Sequence, residues 1–420
     1  MTRSVNGQPL PVSEADVVVI GAGAFGVTAA YQLARLGAGR VVLVDQFAPA
    51  SQTSPRAAGL YKQIQADATL TKLAQLSIEI VTGFEAATGV PLPILRSGSL
   101  LTARTPAHAA MVREDAAAAI TRGVDCELVD PAAARRLAPY LTTDGLRATC
   151  HIPGDIFVEE PSTLLAAYLA AGEKQGVKVL AETPVTGLRV SNGRIGGVVT
   201  TRGEIATERV VDAAGAWSAI VGRLAEATVP VVPVRHQLLI TEPIAGIAPE
   251  EPITRIIDAA VYLRPARGGL MIGGFESDPM PLDPRQAGSD FAMDQVPLDR
   301  DVLDRLAADV RDQVPVLPDS GVAEHRGGLF TMTADARFLL GPATGVDGLW
   351  LATGCNGSGF SLSSGCGRVL AEWMIGGAPP FDVSSLDPRR FGETAFDPDA
   401  LTKAGLWQYA NYYTPAGVTV

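Results

Sequence analysis

Val17-Val18-Val19-Ile20-Gly21-Ala22-Gly23-Ala24-Phe25-Gly26 decides how this chain is read. Four β-branched apolar residues in a row suit a strand buried on both faces, as in a parallel sheet. The three glycines that follow allow, in turn, a tight turn, a close approach of backbone to ligand, and a close fit of helix against strand. Helical patterning then runs to about Leu36, where Gly37 and Gly39 stop it. Val41–Val44 reads as a second buried strand. It ends at Asp45, about 20 residues beyond the glycine loop, where a carboxylate can bind ribose hydroxyls. Together these form one βαβ unit. Its helix N-terminus offers N–H groups and a positive dipole end to a pyrophosphate. The unit predicts dinucleotide binding without choosing between FAD and NAD.

Further along, helices are predicted over 67–88, 106–122, 164–175 and 300–313, with strands at Ser99–Ala103 and Val177–Leu180. Asn192-Gly193 lies between two alternating runs, 185–190 and 195–200, and predicts a hairpin. Val231–Thr241, Ala260–Pro265 and Leu270–Gly274 read as strands of a second sheet. Two later glycine turns follow buried strands. One is Val210-Val211-Asp212-Ala213-Ala214-Gly215-Ala216-Trp217-Ser218, whose small residues leave room for a ligand or simply begin a helix. The other is Gly354-Cys355-Asn356-Gly357-Ser358-Gly359-Phe360, after Leu349–Thr353 and before a helix to about Met374. Bare amides there, at a helix N-terminus, suit the negative charge of a reduced flavin. Strand–loop–helix elements both early and late predict a domain assembled from distant segments.

The bulk numbers exclude several function classes. A net charge of −11 over 420 residues repels phosphate backbones, so nucleic-acid binding is not expected. Cys126, Cys150, Cys355 and Cys366 form no C-x-x-C pair and no zinc spacing, which predicts buried thiols and no metal site. Residues 1–14 read as a flexible lead without an apolar signal core, and no apolar run is long enough to span a membrane. A cytoplasmic enzyme is expected. The segment 379–420 is proline-rich and then aromatic (Trp407, Tyr409, Tyr412, Tyr413), either packed back on the protein or free to dock on partner subunits.

The three glycine elements, in this order and spacing, resemble the D-amino-acid oxidase-like superfamily over roughly residues 15–376. The branch most similar is that of sarcosine oxidase, dimethylglycine dehydrogenase and glycine oxidase. Arg56-Ala57-Ala58-Gly59, Val232-Pro233-Val234-Arg235-His236-Gln237 with Thr241-Glu242-Pro243, and Asp387-Pro388-Arg389-Arg390-Phe391 carry the likeness further. The resemblance implies an α/β fold. A Rossmann-like FAD-binding domain of the glutathione-reductase type would comprise 14–90, 155–222 and 330–378. An interleaved substrate domain, a mixed and largely antiparallel β-sheet covered by helices, would comprise 91–154 and 223–329. The dimethylglycine dehydrogenase group carries a folate-binding domain afterwards; this chain stops at Val420, so folate coupling is not expected.

The resemblance also implies FAD, and oxidation of an amine by hydride transfer from the carbon next to nitrogen, with O₂ or an electron-transfer acceptor as partner. Implied FAD contacts are Gly21, Gly23, Ala24, Phe25 and Gly26; Asp45 and Gln46; Ser54, Arg56, Ala57 and Ala58; Val185; Ala214, Gly215 and Trp217; and Asn356, Gly357, Ser358, Gly359, Phe360 and Ser361. Two other readings stay open: a 2-hydroxy-acid dehydrogenase, and the flavin subunit of a multi-subunit electron-transfer complex.

Departures from the family pattern narrow the expectation. Arg56 stands where dimethylglycine dehydrogenases attach FAD through histidine, and Gly328 where sarcosine oxidases attach it through cysteine, so FAD is expected to be non-covalent. Phe330 replaces the carboxylate-binding arginine of glycine and D-amino-acid oxidases. Ser361 and Met271 replace two lysines of sarcosine oxidases. A secondary or N-alkylated amino acid is the expected substrate. Lys62, with Tyr61 beside it, aligns near a substrate-binding arginine, and Tyr262 falls at an active-site tyrosine. His236 can bind substrate or tune its protonation. Arg264 alternates with Tyr262 and so shares its face. Arg326, after His325, precedes Leu329-Phe330-Thr331. Each also has a plain structural reading, as a solvated cation, a core aromatic or a backbone-satisfied histidine.

Overall fold

In a computed structural model the described residues are 10–288, 290–392 and 396–415. Val17–Ile20 lies inside a six-stranded sheet ordered Leu339–Pro342, Leu349–Thr353, Val210–Asp212, Val17–Ile20, Val41–Val44, Lys178–Leu180. Every neighbouring pair is parallel except the one made by the edge strand Leu339–Pro342. Successive side chains of a strand point to opposite faces. Val17 and Val19 accordingly pack on the helix side, with residues of Ala24–Arg35 and Gly359–Gly376. Val18 and Ile20 pack with Leu188, Ile195 and Ile205 of a small three-stranded sheet. Two covered faces explain why this strand is continuously apolar rather than alternating.

The second large sheet has eight strands: Val322–Met332, Val232–Thr241, Gly269–Gly274, Val261–Ala266, Ile253–Ile256, Ser99–Ala103, Ala148–Ile152, Glu127–Leu128. Only the Ile253–Ile256 and Ser99–Ala103 pair is parallel, so the sheet is mixed and largely antiparallel. Helices Pro106–Thr121 and Arg300–Asp309 cover it.

Several boundaries differ from the sequence reading. The helical stretch 67–88 breaks at Gly83 into Ala68–Thr82 and Phe84–Thr88. The helix expected to reach 313 stops at Asp309 and continues as turns. The expected flexible lead is anchored at its end: Ala15 N donates to Ala206 O and Ala206 N to Ser13 O, both at 2.9 Å. Residues 1–9 of that lead lie outside the described residues. The aromatic tail is no free docking segment. It forms a helix, Pro398–Ala410, with Tyr409 fully buried and Trp407 left 56% exposed. Among the described residues, no helix is long and apolar enough to cross a membrane, and no cluster could hold a metal ion. Cys126, Cys150 and Cys366 are buried free thiols, while Cys355 is only partly buried.

Candidate functional site

One cavity, about 580 Å³, is lined at one end by the first glycine loop and at the other by the eight-stranded sheet. The loop is shaped by sterics. Gly21 has φ +101°, and a Cβ there would lie 2.5 Å from the Ala213 carbonyl oxygen. A Cβ at Gly26 would lie 1.7 Å from the Gly21 carbonyl oxygen. Only glycine lets strand, loop and helix meet this closely. Gly23 caps the helix Ala24–Arg35 without a side chain, and Ala24 N donates to Ser54 Oγ at 3.0 Å. Asp45 closes the second strand. Its carboxylate accepts from Ala22 N at 2.6 Å and Phe47 N at 2.7 Å, which fixes it beside the loop. Burial raises its pKa against those two donors.

The second glycine turn follows Asp212, which is fully buried. Its Oδ1 accepts from Ala214 N at 3.0 Å, its Oδ2 has no protein partner, and burial pushes its pKa up to about 7. The third turn is braced by Asn356, whose Oδ1 accepts from Thr333 N at 2.9 Å and whose Nδ2 donates to Gly354 O at 2.7 Å.

At the sheet end, His236 sits between two phenols. Its Nε2 is 2.7 Å from the Tyr262 hydroxyl and its Nδ1 2.7 Å from the Tyr409 hydroxyl. The ring stacks on Phe330, centroids 4.1 Å apart. Burial pushes the His236 pKa down to about 3, so the imidazole is neutral near pH 7, donating to one phenol and accepting from the other. Lys62 Nζ donates to the Tyr412 hydroxyl at 2.8 Å, and that hydroxyl is 3.2 Å from Ser358 Oγ. Burial opposes the Lys62 charge, but the Tyr412 and Tyr413 phenols outweigh it and the pKa rises. The Tyr412 ring stacks on Phe275, centroids 4.0 Å apart and planes 8° from parallel.

The cavity gathers most of the residues expected from the sequence. Of the implied cofactor positions, Gly26, Asn356 and Ser358 alone do not line it. They shape it instead, Gly26 by helix packing and the other two through the bonds just given. Lys62, His236 and Tyr262 line the cavity; Arg264 and Arg326 do not. Arg264 shares Tyr262's side of the strand, but its guanidinium is fully buried. It is spent on the carbonyls of Ala58 (2.8 Å), Pro265 (2.7 Å) and Glu159 (2.7 Å). It braces the loop at 58 and does not reach the cavity. Arg326 likewise bonds Ala57 O at 3.3 Å and faces Glu160 and Glu324. His325 bonds Gln237 at 3.1 Å, and Tyr61 is buried against Phe360. Met271 is fully buried and does not reach the cavity.

The sequence profile described as FAD dependent oxidoreductase (DAO) matches residues 16–373. The chain belongs to this family. Its cofactor is FAD, and the site fits that group. A Cβ at Gly21 would strike the Ala213 backbone and one at Gly23 would crowd Ser54 Oγ at 3.1 Å, a half-buried acid closes the second strand, and the same cavity continues to His236. Two curated relatives of this DAO-family chain are informative. Sarcosine dehydrogenase, mitochondrial, of Homo sapiens is 33% identical over 97% of this chain and 45% of that protein. 4-Methylaminobutanoate oxidase (formaldehyde-forming) of Paenarthrobacter nicotinovorans is 28% identical over 93% of this chain and 47% of that protein. The chain thus spans about half the length of the curated relatives it matches. A crystal structure of L-proline dehydrogenase from P. horikoshii superposes with a TM-score of 0.82 at 24% identity, covering 90% of this chain and 98% of that one; this likeness shows the fold. The mitochondrial label on the human relative gives the cytoplasmic expectation no support.

Three contributors were missed by sequence reasoning. Arg255 lines the cavity from the eight-stranded sheet and Phe275 from just beyond its strand Gly269–Gly274, and Tyr409 supports His236 from the C-terminal helix. The aromatic run near the C-terminus was the available signal for Tyr409. Nothing in the local sequence marks Arg255.

Proposed function

We propose that this flavoprotein oxidises an amine, specifically a secondary or N-alkylated amino acid, at the carbon next to nitrogen. The imine formed is hydrolysed to a carbonyl compound and an amine. The observation that carries this reading is the neutral, buried His236–Tyr262 pair at the end of a cavity whose other end is the dinucleotide cradle. The names of the two curated relatives, for sarcosine and 4-methylaminobutanoate, support it, since both are N-methylated acids.

Bound FAD supplies the two-electron acceptor for the C–H bond next to nitrogen. The protein's own task is to present the amine uncharged, because an ammonium holds no lone pair to assist loss of hydride. The burial that keeps His236 neutral also disfavours an ammonium, and Lys62 adds like-charge repulsion. The Tyr262 hydroxyl, held by His236, is placed to hydrogen-bond the amine and orient it. FAD is held without a covalent bond in this reading. Arg56 spends its guanidinium on the Ser51 and Gln52 carbonyls, and Gly328 has no side chain to offer. The electron acceptor is O₂ or an electron-transfer partner, and oxygen uptake during turnover separates the two.

Product analysis tests this. N-Methylglycine is expected to yield one carbonyl compound and one amine in equal amounts, and acid precipitation is expected to leave a yellow supernatant. Turnover of 2-hydroxy acids with no amine released would move the assignment to C–OH oxidation. A yellow pellet would overturn non-covalent attachment.

A further inference from the structure

Arg255, on the strand Ile253–Ile256, is 3% exposed and lines the cavity. It lies directly opposite Tyr262 in the antiparallel ladder. Residues so opposed point to the same face, with Cβ atoms about 4.5–5.5 Å apart. Tyr262 is opposite Gly273, and Gly273 is opposite Leu238, two residues from His236. Arg255, Tyr262 and His236 therefore share one face of the sheet. The gap at Gly273 is what lets Tyr262 reach across: a Cβ there would lie 2.3 Å from the Tyr262 hydroxyl oxygen.

The protein does not use up this guanidinium. Nη2 is 3.4 Å from Ser99 Oγ and 3.7 Å from the Asp155 carboxylate, the Tyr413 hydroxyl also interacts with the guanidinium, and Nε has no partner. A buried N–H left unbonded is costly, and buried polar groups are generally satisfied. Asp155 is meanwhile well supplied, accepting from Ser99 Oγ at 2.6 Å and Gln63 N at 2.8 Å. The other charges acting here are Lys62 and Asp115, and Asp115 is also faced by Arg122 and Glu114. Lys62 and Arg255 line the cavity, whereas Asp155 is fully buried behind them and does not. Both cations meet the open space, and neither Asp155 nor Asp115 does.

We propose that Arg255, with Lys62 beside it, seats the carboxylate of the substrate. A guanidinium with free N–H groups matches a carboxylate in both charge and shape. The proposal rests on the amine-oxidising reading and extends it by naming the group that recognises the acid. It makes the ladder neighbours Arg255 and Tyr262 the two grips on one molecule, one for its acid and one for its nitrogen.

The test uses the FAD-loaded protein with Arg255→Gln and Arg255→Lys, each checked for FAD content and melting temperature. Propionate, a carboxylate without an amine, is titrated by calorimetry. Its affinity is expected to fall about 10- to 100-fold in Arg255→Gln and less in Arg255→Lys, the range for a lost charged hydrogen bond. The ratio of kcat/KM for N-methylglycine to that for N-methylglycinamide is expected to fall at least about tenfold. Equal propionate affinity in wild type and variant, or an unchanged ratio, overturns the proposal. If Arg255→Gln does not fold, Arg255→Lys, which keeps a cation beside Asp155, decides by the same titration. If the wild type oxidises no amine, the functional reading fails, while propionate binding still decides the seat.

Discussion

A Gly26→Val protein is expected to be purified almost colourless and to melt at a lower temperature than the wild type. Even a Cβ at this position would fall 1.7 Å from the Gly21 carbonyl oxygen, well inside contact distance. The obstacle is backbone, not a side chain that can rotate away. Relief requires moving the helix Ala24–Arg35 off the strand Val17–Ile20, or distorting the loop between them. Overpacking of this kind costs about 1–3 kcal/mol, and more where nothing can yield. The same movement takes Gly23, Ala24 and Phe25 away from the cavity they line. FAD content below about a tenth of wild type is expected, since cradle and helix end act together on the pyrophosphate. Gly376→Ala is the control, because a Cβ there meets nothing within 4 Å. A yellow, fully loaded Gly26→Val protein would show that the glycine loop does not hold the cofactor.

The second large effect is expected at His236. In His236→Gln the rate of flavin reduction by a secondary amine should fall about 10²- to 10⁴-fold, the usual weight of a positioned proton-handling group. FAD content should be unchanged, because the Gly21–Gly26 loop and Asp45 are untouched. The reason is geometric. Tyr262 is held at 2.7 Å by a ring that is itself fixed by Tyr409 at 2.7 Å and by stacking on Phe330. A flexible amide cannot bond both phenols in the plane of an imidazole. Stability should also change its response to acid. The folded protein keeps His236 neutral down to about pH 3, whereas the unfolded chain protonates it below its ordinary value of 6.5. Between those limits the unfolded state binds more protons, so wild-type stability falls as pH drops through that window. His236→Gln should lose that part of the acid sensitivity, measured as melting temperature against pH.

The first βαβ unit was legible because each of its steps is local. Val17–Ile20 and Val41–Val44 are strands at the predicted bounds, and Gly37 and Gly39 follow a helix that ends at Arg35. Ser99–Ala103 and the turn at Asn192-Gly193 were legible for the same reason, since composition and turn chemistry act within a few residues. The sheet end of the cavity was only half legible. His236 and Tyr262 could be nominated, but not the bridge between them, which depends on the register of three strands and the gap at Gly273. Alternation placed Arg264 on the right face, yet could not show that three backbone carbonyls consume its guanidinium. Tyr409 and Tyr412 reach His236 and Lys62 from a helix and the turn after it, more than a hundred residues away in sequence. Spacing carries no information about such a contact. Arg255 in a short buried strand looks like any other strand arginine until its partners are counted.

The most direct test of amine oxidation is anaerobic reduction of the purified, FAD-loaded protein. N-Methyl, cyclic and primary amino acids are added in turn, alongside a 2-hydroxy acid, while the flavin band at about 450 nm is followed. Amine oxidation predicts bleaching by a secondary or N-alkylated amino acid and none by the hydroxy acid. Bleaching by the hydroxy acid, with the band unmoved by every amine, would contradict it.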